Sequence, residues 1–249
     1  MQLFDVHCHV PESGIDSMLE RAAEAGVVGM AVCGTSPDDW SRVFQTLENY
    51  PQVFPMTGIH PWFVSEHWKE NFQTLEKTVR EFPKVGIGET GLDFQERFTN
   101  RAEQEASFAA HLDLARELKR TVAVHCVHAR GRLIEILKEH PAPRVLLHAF
   151  SGAPELIPEL VELNCWFSFC GSVTNPAAKR VRASAAAVPA ERLLIETDSP
   201  DFPPAGCEMP NEPANLIHVA RVVAGLRGVP VETIAEQTFS NAMELFDTI

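Results

Sequence analysis

Two histidines separated by one residue lie near the start of the chain, in the stretch Asp5-Val6-His7-Cys8-His9. The run Leu3–Val6 is largely apolar and predicts a short buried strand. Alternate side chains of a strand point to the same face, so His7 and His9 would lie side by side with Asp5 behind them. Neutral imidazole nitrogens suit Zn²⁺ and related cations, and a carboxylate behind them would fix the ring tautomer. The alternative is a pair of exposed loop histidines.

Further metal-competent side chains follow apolar runs along the rest of the chain, each being the first such group after its run. If the runs are the parallel strands of a closed barrel, their carboxyl ends converge on one basin, where barrel active sites lie. Satisfied core histidines would not be expected at so many matching positions. We therefore predict one shared metal site whose ligands are His7, His9, Glu89, His125, His148 and Asp198.

Short apolar runs alternate with amphipathic segments over most of the chain, which predicts strands alternating with helices. The predicted strands are 3–6, 27–32, 53–59, 85–89, 121–125, 144–148, 165–170 and 193–198. The predicted helices begin at about residue 15 and at Pro37 with Ser36 as N-cap, and cover 65–82, 101–119, 130–139 and 231–245.

This alternation predicts an α/β fold, specifically a single-domain TIM-like (β/α)₈ barrel over residues 1–249. An open doubly wound sheet is the alternative. The first turn from strand to helix carries neither a G-x-G-x-x-G motif nor a P-loop, which weakens the nucleotide-binding versions of that alternative.

Six motifs along the chain resemble those of a known family, the TatD-like metal-dependent hydrolases of the amidohydrolase superfamily. The resemblance runs nearly from end to end, and together the motifs are highly specific. They are Asp5-Val6-His7-Cys8-His9, Gly58-Ile59-His60-Pro61, Gly86-Ile87-Gly88-Glu89-Thr90-Gly91-Leu92-Asp93, His148-Ala149-Phe150-Ser151-Gly152, Glu196-Thr197-Asp198-Ser199-Pro200 and Asn211-Glu212-Pro213.

The resemblance implies a TIM-like barrel with one or two metal ions and a deoxyribonuclease-like activity. It places His7, His9 and Asp198 at one metal and the two histidines of strands five and six at the other. It also implies that Glu89 bridges the two ions. The donor types suit Zn, Mn, Ni or Co, and Mg less well.

A metal pair lowers the pKa of bound water and polarises the oxygen that is attacked, which suits hydrolysis of a phosphodiester. We expect Asp198 and Glu89 to be the catalytic residues, with Asp198 orienting the water and taking its proton. A pure ligand role for Asp198 is the alternative. His60 follows the third strand and is predicted to bind substrate, although a structural role before Pro61 is also open. Glu196 is expected to support Asp198 rather than to bind metal.

The charge of the chain limits the kind of substrate. The net charge is −13 at pH 7, and residues 198–220 contain no Lys or Arg. A protein that grips long nucleic acid normally shows a basic stripe, so we expect no extended basic groove. Relatives often carry Arg and Asp shortly after the strand-five His, where this chain has Val127 and His128. The expected substrate is a small molecule or a short nucleic acid, or the end of a longer one.

The six cysteines form no C-x-x-C pair, which is typical of reduced thiols in a cytoplasmic protein. The sequence shows no signal peptide and no apolar run long enough to cross a membrane. Oligomeric state does not follow from the sequence.

Two other functions use the same residues. One is a hydrolase of a small amide or ester, in which the activated water attacks a carbonyl. The other is a non-catalytic metal-binding or scaffold protein, against which the intact set of six ligand-type residues speaks.

Overall fold

The structure, a computed structural model, describes residues 1–9, 11 and 13–246. Within these residues, eight β-strands alternate with nine α-helices. The strands are β1 Leu3–Cys8, β2 Val27–Gly34, β3 Val53–Thr57, β4 Gly86–Asp93, β5 Thr121–Val127, β6 Arg144–Leu147, β7 Cys165–Phe169 and β8 Leu193–Ile195. The helices are α1 Ile15–Glu24, α2 Pro37–Asn49, α3 Trp68–Glu81, α4 Arg101–Leu118, α5 Arg130–Glu139, α6 Ile157–Glu162, α7 Lys179–Ala187, α8 Leu216–Arg227 and α9 Val231–Phe246.

The eight strands form one sheet in chain order, from β1 to β8. The pairs β1–β2, β3–β4, β4–β5, β5–β6 and β7–β8 are parallel. The chain just after β8 returns to β1: the Asp198 N–H donates to the His7 carbonyl (3.0 Å), and the His9 N–H donates to the Ser199 carbonyl (2.9 Å). Parallel strands in chain order, with helices between them, are the topology of a (β/α)₈ barrel. The predicted fold class is therefore confirmed.

The backbone divides into two compact units. The first comprises Met1–Val32, His148–Val161 and Trp166–Leu245. Its strands β1, β7 and β8 carry fully buried apolar side chains such as Leu3, Phe167 and Ile195. The ring of Phe4 packs edge-on against Phe239 of α9, with centroids 6.3 Å apart. That residues 1–249 act as one domain remains a prediction.

The second unit comprises Cys33–Leu147 and Glu162–Cys165, together with the end of the chain from Phe246. Strands β4 and β5 pair closely, with Gly91 opposite His125. Gly91 has a φ of 134°, and a Cβ there would overlap the carbonyl oxygen of His125. Only glycine tolerates both the positive φ and this approach. The glycine in the predicted motif therefore lets β4 lie against β5 where both reach the candidate site.

Helix α2 begins as the sequence predicts, with Ser36 as N-cap and Pro37 in the first turn. The Asp39 carboxylate accepts the backbone N–H of Ser36 (3.3 Å) and of Thr35 (2.9 Å). It thereby satisfies backbone donors at the start of the helix, which have no partner within the helix.

Each of the eight predicted strands ends one to four residues from its end in the structure. Strand β3 ends at Thr57 rather than 59, β4 continues to Asp93 rather than 89, and β8 ends at Ile195 rather than 198. Strand β8 is shorter because the next backbone donors leave the ladder: the N–H of Thr197 donates to the Asp5 carboxylate (2.9 Å). Asp198 consequently lies in a turn after β8, not on the strand.

The sequence analysis does not predict helices α6, α7 and α8. Helix α6 has six residues and α7 is rich in Ala and Arg, so neither shows a strong apolar period. Helix α8 buries Leu216, Val219, Ala220 and Val223, which do follow a helical period. None of the described helices is long and apolar enough to cross a membrane.

His111 of α4 is fully buried and joins this helix to the end of β3. Its Nε2 accepts the backbone N–H of Ile59 (3.2 Å), and its Nδ1 lies 2.7 Å from the Ser107 carbonyl. Because Nε2 accepts, the neutral ring carries its proton on Nδ1 and donates it to Ser107. Burial lowers the pKa of His111 from 6.5 to about 4.

This shift predicts a loss of stability in mild acid. The unfolded chain takes up a proton on this imidazole below pH 6.5, whereas the folded ring resists protonation until about pH 4. The contribution is complete above pH 6.5 and falls by about 2 kcal/mol on going to pH 5. Urea unfolding of the wild type and of H111Q at pH 7.5 and 5.0 measures it. We expect the wild type to lose more stability than H111Q between these pH values, and equal losses would contradict the assignment.

Candidate metal centre

The first group of donors lies in the first unit, at the end of β1 and in the turn after β8. The Nε2 atoms of His7 and His9 lie 3.7 Å and 3.8 Å from Oδ1 of Asp198. The two rings are nearly perpendicular, with centroids 5.1 Å apart. Two imidazole nitrogens therefore face one carboxylate oxygen, as expected from strand alternation for the histidines.

The backbone fixes Asp198 in this position. Its φ is 55°, in the left-handed region that Asp tolerates better than most residues. The hydrogen bonds between residues 198–199 and the backbone of His7 and His9 hold the turn against β1. The Asn211 side chain secures the turn from the other side by donating to the carbonyls of Thr197 and Asp201, both at 2.9 Å. This is a structural role for the Asn of the Asn-Glu-Pro motif.

His148 follows β6 and stacks on His7, with ring centroids 4.0 Å apart and an interplanar angle of 12°. Its Nδ1 lies 3.9 Å from Oε1 of Glu196. Glu196 is fully buried and accepts the hydroxyl of Ser168 (2.5 Å) and the N–H of Ala149 (2.6 Å). These bonds hold the Glu196 carboxylate behind the ligand-type residues, as expected from the sequence.

Burial raises the pKa of Glu196 to about 8, even though His148 and the hydrogen bonds from Ser168 and Ala149 oppose the rise. Cys170 groups with Glu196 and Asp198, and the sequence analysis did not single it out. Burial raises the pKa of this thiol to about 12, so it stays protonated at neutral pH and is a poor metal ligand.

Asp5 is fully buried behind the histidines. Its carboxylate accepts the backbone N–H and the hydroxyl of Thr197, and the N–H of His7 at 3.3 Å. Burial is the main cause that raises its pKa to about 7. The described bonds of Asp5 thus hold β1 to the segment that carries Asp198. The thiol of Cys8 donates to the Ala31 carbonyl (3.5 Å).

The second group of donors lies in the second unit: His60 follows β3, and His125 lies near the end of β5. Glu89 lies within β4 and not, as predicted from the sequence, at its end, because the strand continues to Asp93. Oε1 of Glu89 lies 3.1 Å from Nδ1 of His125 and 3.2 Å from Nε2 of His60. The rings of His60 and His125 are 4.4 Å apart. His60 Nδ1 accepts the N–H of Trp62 (3.2 Å), so the neutral ring carries its proton on Nε2, 3.2 Å from Oε1 of Glu89. In this tautomer His60 lies beside Glu89 and His125 as a hydrogen-bond donor.

Asp93 fixes two neighbours of this group. Its Oδ2 accepts the indole N–H of Trp62 at 2.7 Å and lies 3.5 Å from Nε2 of His125. Burial alone would raise the pKa of Asp93, but hydrogen bonds from His125, Trp62 and Gln95 lower it below its usual range. The carboxylate caps the following loop by accepting the N–H of Gln95 (3.1 Å), and it also faces the ring of His125.

Both groups suit a divalent cation. Ligand atoms about 2.1 Å from one tetrahedral ion are about 3.4 Å apart. The separations of Asp198 from His7 and His9 are close to this value. His7 with His148 and Glu196, and His60 with Glu89 and His125, place one donor atom each within 4.8 Å of the others. Imidazole and carboxylate donors in this mixture fit Zn and similar metals.

One acidic residue near the end of the segment after Asp198 is paired with a basic residue from another part of the chain. Glu212 forms an ion pair with Arg21 of α1, with Arg21 Nε 2.7 Å from Oε2. Asp201 and Glu208 remain exposed. The local charge is thus reduced by a residue nearly two hundred positions away, which the loop sequence alone could not reveal.

Comparison with known proteins places these residues in a family. A model described as TatD related DNase matches residues 4–247. The chain belongs to the TatD related DNase family. The "3'-5' ssDNA/RNA exonuclease TatD" of Klebsiella pneumoniae is 33% identical over 256 aligned residues, which cover 98% of this chain and 97% of that protein. The "Uncharacterized metal-dependent hydrolase YjjV" of Escherichia coli is 32% identical over 254 residues, covering 99% and 98%.

A solved structure of a relative has the same fold. The crystal structure of YjjV from Escherichia coli, described as a TatD homolog, superposes with a TM-score of 0.92 at 30% identity. The match covers 99% of this chain and 98% of that one. The resemblance on which the sequence analysis relied is therefore confirmed.

The bond between Thr197 and Asp5 predicts a stability effect. Replacing Thr197 by Val removes the hydroxyl donor from a buried carboxylate, which costs about 1–3 kcal/mol. T197S keeps the hydroxyl and is the matched control. Urea unfolding of the metal-free protein at pH 8 compares the three proteins. We expect the Val variant to be clearly less stable than the Ser variant, and the opposite order would contradict the role of this bond.

Proposed function

We propose that this protein is a divalent-metal-dependent phosphodiesterase of the TatD type that hydrolyses the ends of single-stranded nucleic acids or short pieces of them. The observation that carries the proposal is the position of His7 and His9, whose Nε2 atoms lie 3.7 Å and 3.8 Å from the same oxygen of Asp198. Membership of a family described as DNases supports phosphodiester over amide as the bond that is broken.

His7, His9 and Asp198 would hold one ion. His125, His148 and Glu89 are the further metal ligands that we propose. Zn, Mn, Ni, Co and Mg are the candidates, with Mg fitting least well. A bound divalent ion lowers the pKa of water and polarises a phosphoryl oxygen.

Asp198 orients the attacking water and accepts its proton. Oδ1 of this carboxylate faces His7 and His9. The turn after β8, which is hydrogen bonded to β1, keeps the carboxylate in place during the reaction. Glu89 acts in the second group, where Oε1 lies within 3.2 Å of two imidazoles and holds their orientation. His60 acts on the substrate from the same side of Glu89.

The charge distribution favours ends and short pieces over long duplex DNA. The chain has 34 acidic and 21 basic residues, and residues 198–220 contain no Lys or Arg. Such a surface gives little counterion release along an extended backbone. The six cysteines form no C-x-x-C pair, which fits a reducing cytoplasm.

Replacing Asp198 by Asn tests the proton-accepting role. The amide keeps an oxygen toward the histidines but cannot take the proton, so we expect kcat to fall about 100-fold or more. Single-turnover assays on a short single-stranded oligonucleotide measure the rate, and elemental analysis measures the bound metal. D201N is the matched control, because it makes the same change at an exposed position of the same loop. A D198N rate within threefold of the wild type would contradict the proposal.

The class of substrate is tested with the metal-reconstituted wild type. We expect turnover of the oligonucleotide and of a generic phosphodiester, and loss of both on addition of EDTA. A panel of N-acyl and cyclic amides is the comparison. Turnover of amides with none of phosphodiesters would overturn the proposed function.

A further inference from the structure

Three residues in the second unit form an exposed surface beside His60 and His125, which we name the stacking platform: Trp62, Arg97 and Phe98. Trp62 is 49% exposed. Its ring is nearly parallel to that of Phe98, at an interplanar angle of 22° and 6.3 Å between centroids. The guanidinium carbon of Arg97 lies 4.9 Å from the Trp62 centroid and 4.7 Å from the Phe98 centroid.

The indole of Trp62 is held in a fixed orientation although half of its surface is exposed. Its N–H donates to the buried Asp93 carboxylate at 2.7 Å, and its ring meets His60 edge-on with centroids 4.9 Å apart. A rigid aromatic side chain with a satisfied N–H and an exposed ring is well suited to binding, because little conformational entropy is lost on contact. Core packing alone would not require this exposure.

Arg97 is an exposed cation whose described contacts are with aromatic rings. Within residues 1–9, 11 and 13–246, no carboxylate lies within ion-pair distance of its guanidinium. Other exposed arginines, such as Arg80 and Arg116, do pair with Glu or Asp. A guanidinium held over aromatic rings keeps its N–H donors available for phosphate, and the guanidinium carbon of Arg101 likewise lies over Phe94, 5.0 Å from its centroid.

The platform is joined to the second donor group by direct contacts. Asp93 receives the Trp62 indole and lies 3.5 Å from Nε2 of His125, and the ring of His60 lies between Trp62 and Glu89. A planar ligand on Trp62 would therefore extend toward the donors proposed to act on the phosphodiester.

We propose that the stacking platform binds the base of the terminal nucleotide of a single-stranded nucleic acid, and that Arg97 contacts the phosphate next to it. The inference rests on the proposed function, since it concerns the substrate of that site. Aromatic rings bind every base through its π-face, and Arg adds a cation–π contribution. The platform thus supplies affinity for single strands locally, without an extended basic groove.

The test uses two oligonucleotides that differ only in the terminal nucleotide, one with adenine and one abasic. Metal-reconstituted wild type should show a KM for the abasic strand that is higher by about 5- to 150-fold. W62A and R97A should lose most of this preference, W62F should keep part of it, and R97K should keep less than wild type because its ammonium is not planar. K69A is the matched control, since Lys69 is an exposed cation over Trp68 on α3 and should keep the full preference.

Variants that merely disturb the fold give a different result. An equal loss of kcat/KM on both strands would mean that Trp62 and Arg97 serve structure only, and would overturn the inference. So would a wild type that hydrolyses both strands with the same KM, which would leave the proposed function standing.

Binding separates failure of the inference from failure of the proposed function. Fluorescence anisotropy of the labelled strands with the metal-free full chain gives affinities without catalysis. Preference for the adenine strand that W62A abolishes, with no hydrolysis of any phosphodiester by the loaded wild type, would overturn the proposed function and support the platform. Equal affinity for both strands would overturn the platform.

Discussion

The candidate site of the first unit depends on the pairing of β1 with the turn that follows β8. Backbone bonds from Asp198 to His7 and from His9 to Ser199 align the two segments. The bonds between Asp5 and Thr197 lock them from within the core. The two paired segments are far apart in the sequence, with 192 positions between Asp5 and Thr197. The site therefore forms only when the sheet is complete. The position of the metal-binding side chains is therefore a consequence of closing the fold.

In each of the two units, a buried carboxylate lies behind a histidine of the candidate site. Glu196 is held by Ser168 and Ala149 behind His148, and Asp93 is held by Trp62 and Gln95 behind His125. Each carboxylate is buried and already hydrogen bonded to the protein. Such residues fix the orientation of the histidines, which governs both ligand geometry and basicity.

The fold class and the ligand-type residues could be predicted from the sequence because both follow from short-range patterns. Apolar runs mark strands, and the first ligand-type residue after a run lies near the carboxyl end of its strand, as His125 does in β5 and His148 does just after β6. The exact ends could not be predicted where side chains replace the sheet ladder, as Asp5 does at Thr197. Long-range ion pairs, such as that of Arg21 with Glu212, could not be predicted from the sequence either. Part of the stacking platform could have been found in the sequence. Phe and Arg alternate in the segment from Phe94 to Arg101, a pattern that is typical of a surface that binds nucleic acid.

The most direct test of the account is the anomalous scattering of crystals soaked with Zn²⁺ or Mn²⁺. The account predicts a peak within about 2.0–2.2 Å of Nε2 of His7, Nε2 of His9 and a carboxylate oxygen of Asp198. Replacing His7 and His9 together by Ala should remove that peak while the fold is kept. Crystals that bind metal only elsewhere, or bind none at these residues at saturating concentration, would contradict the central claim.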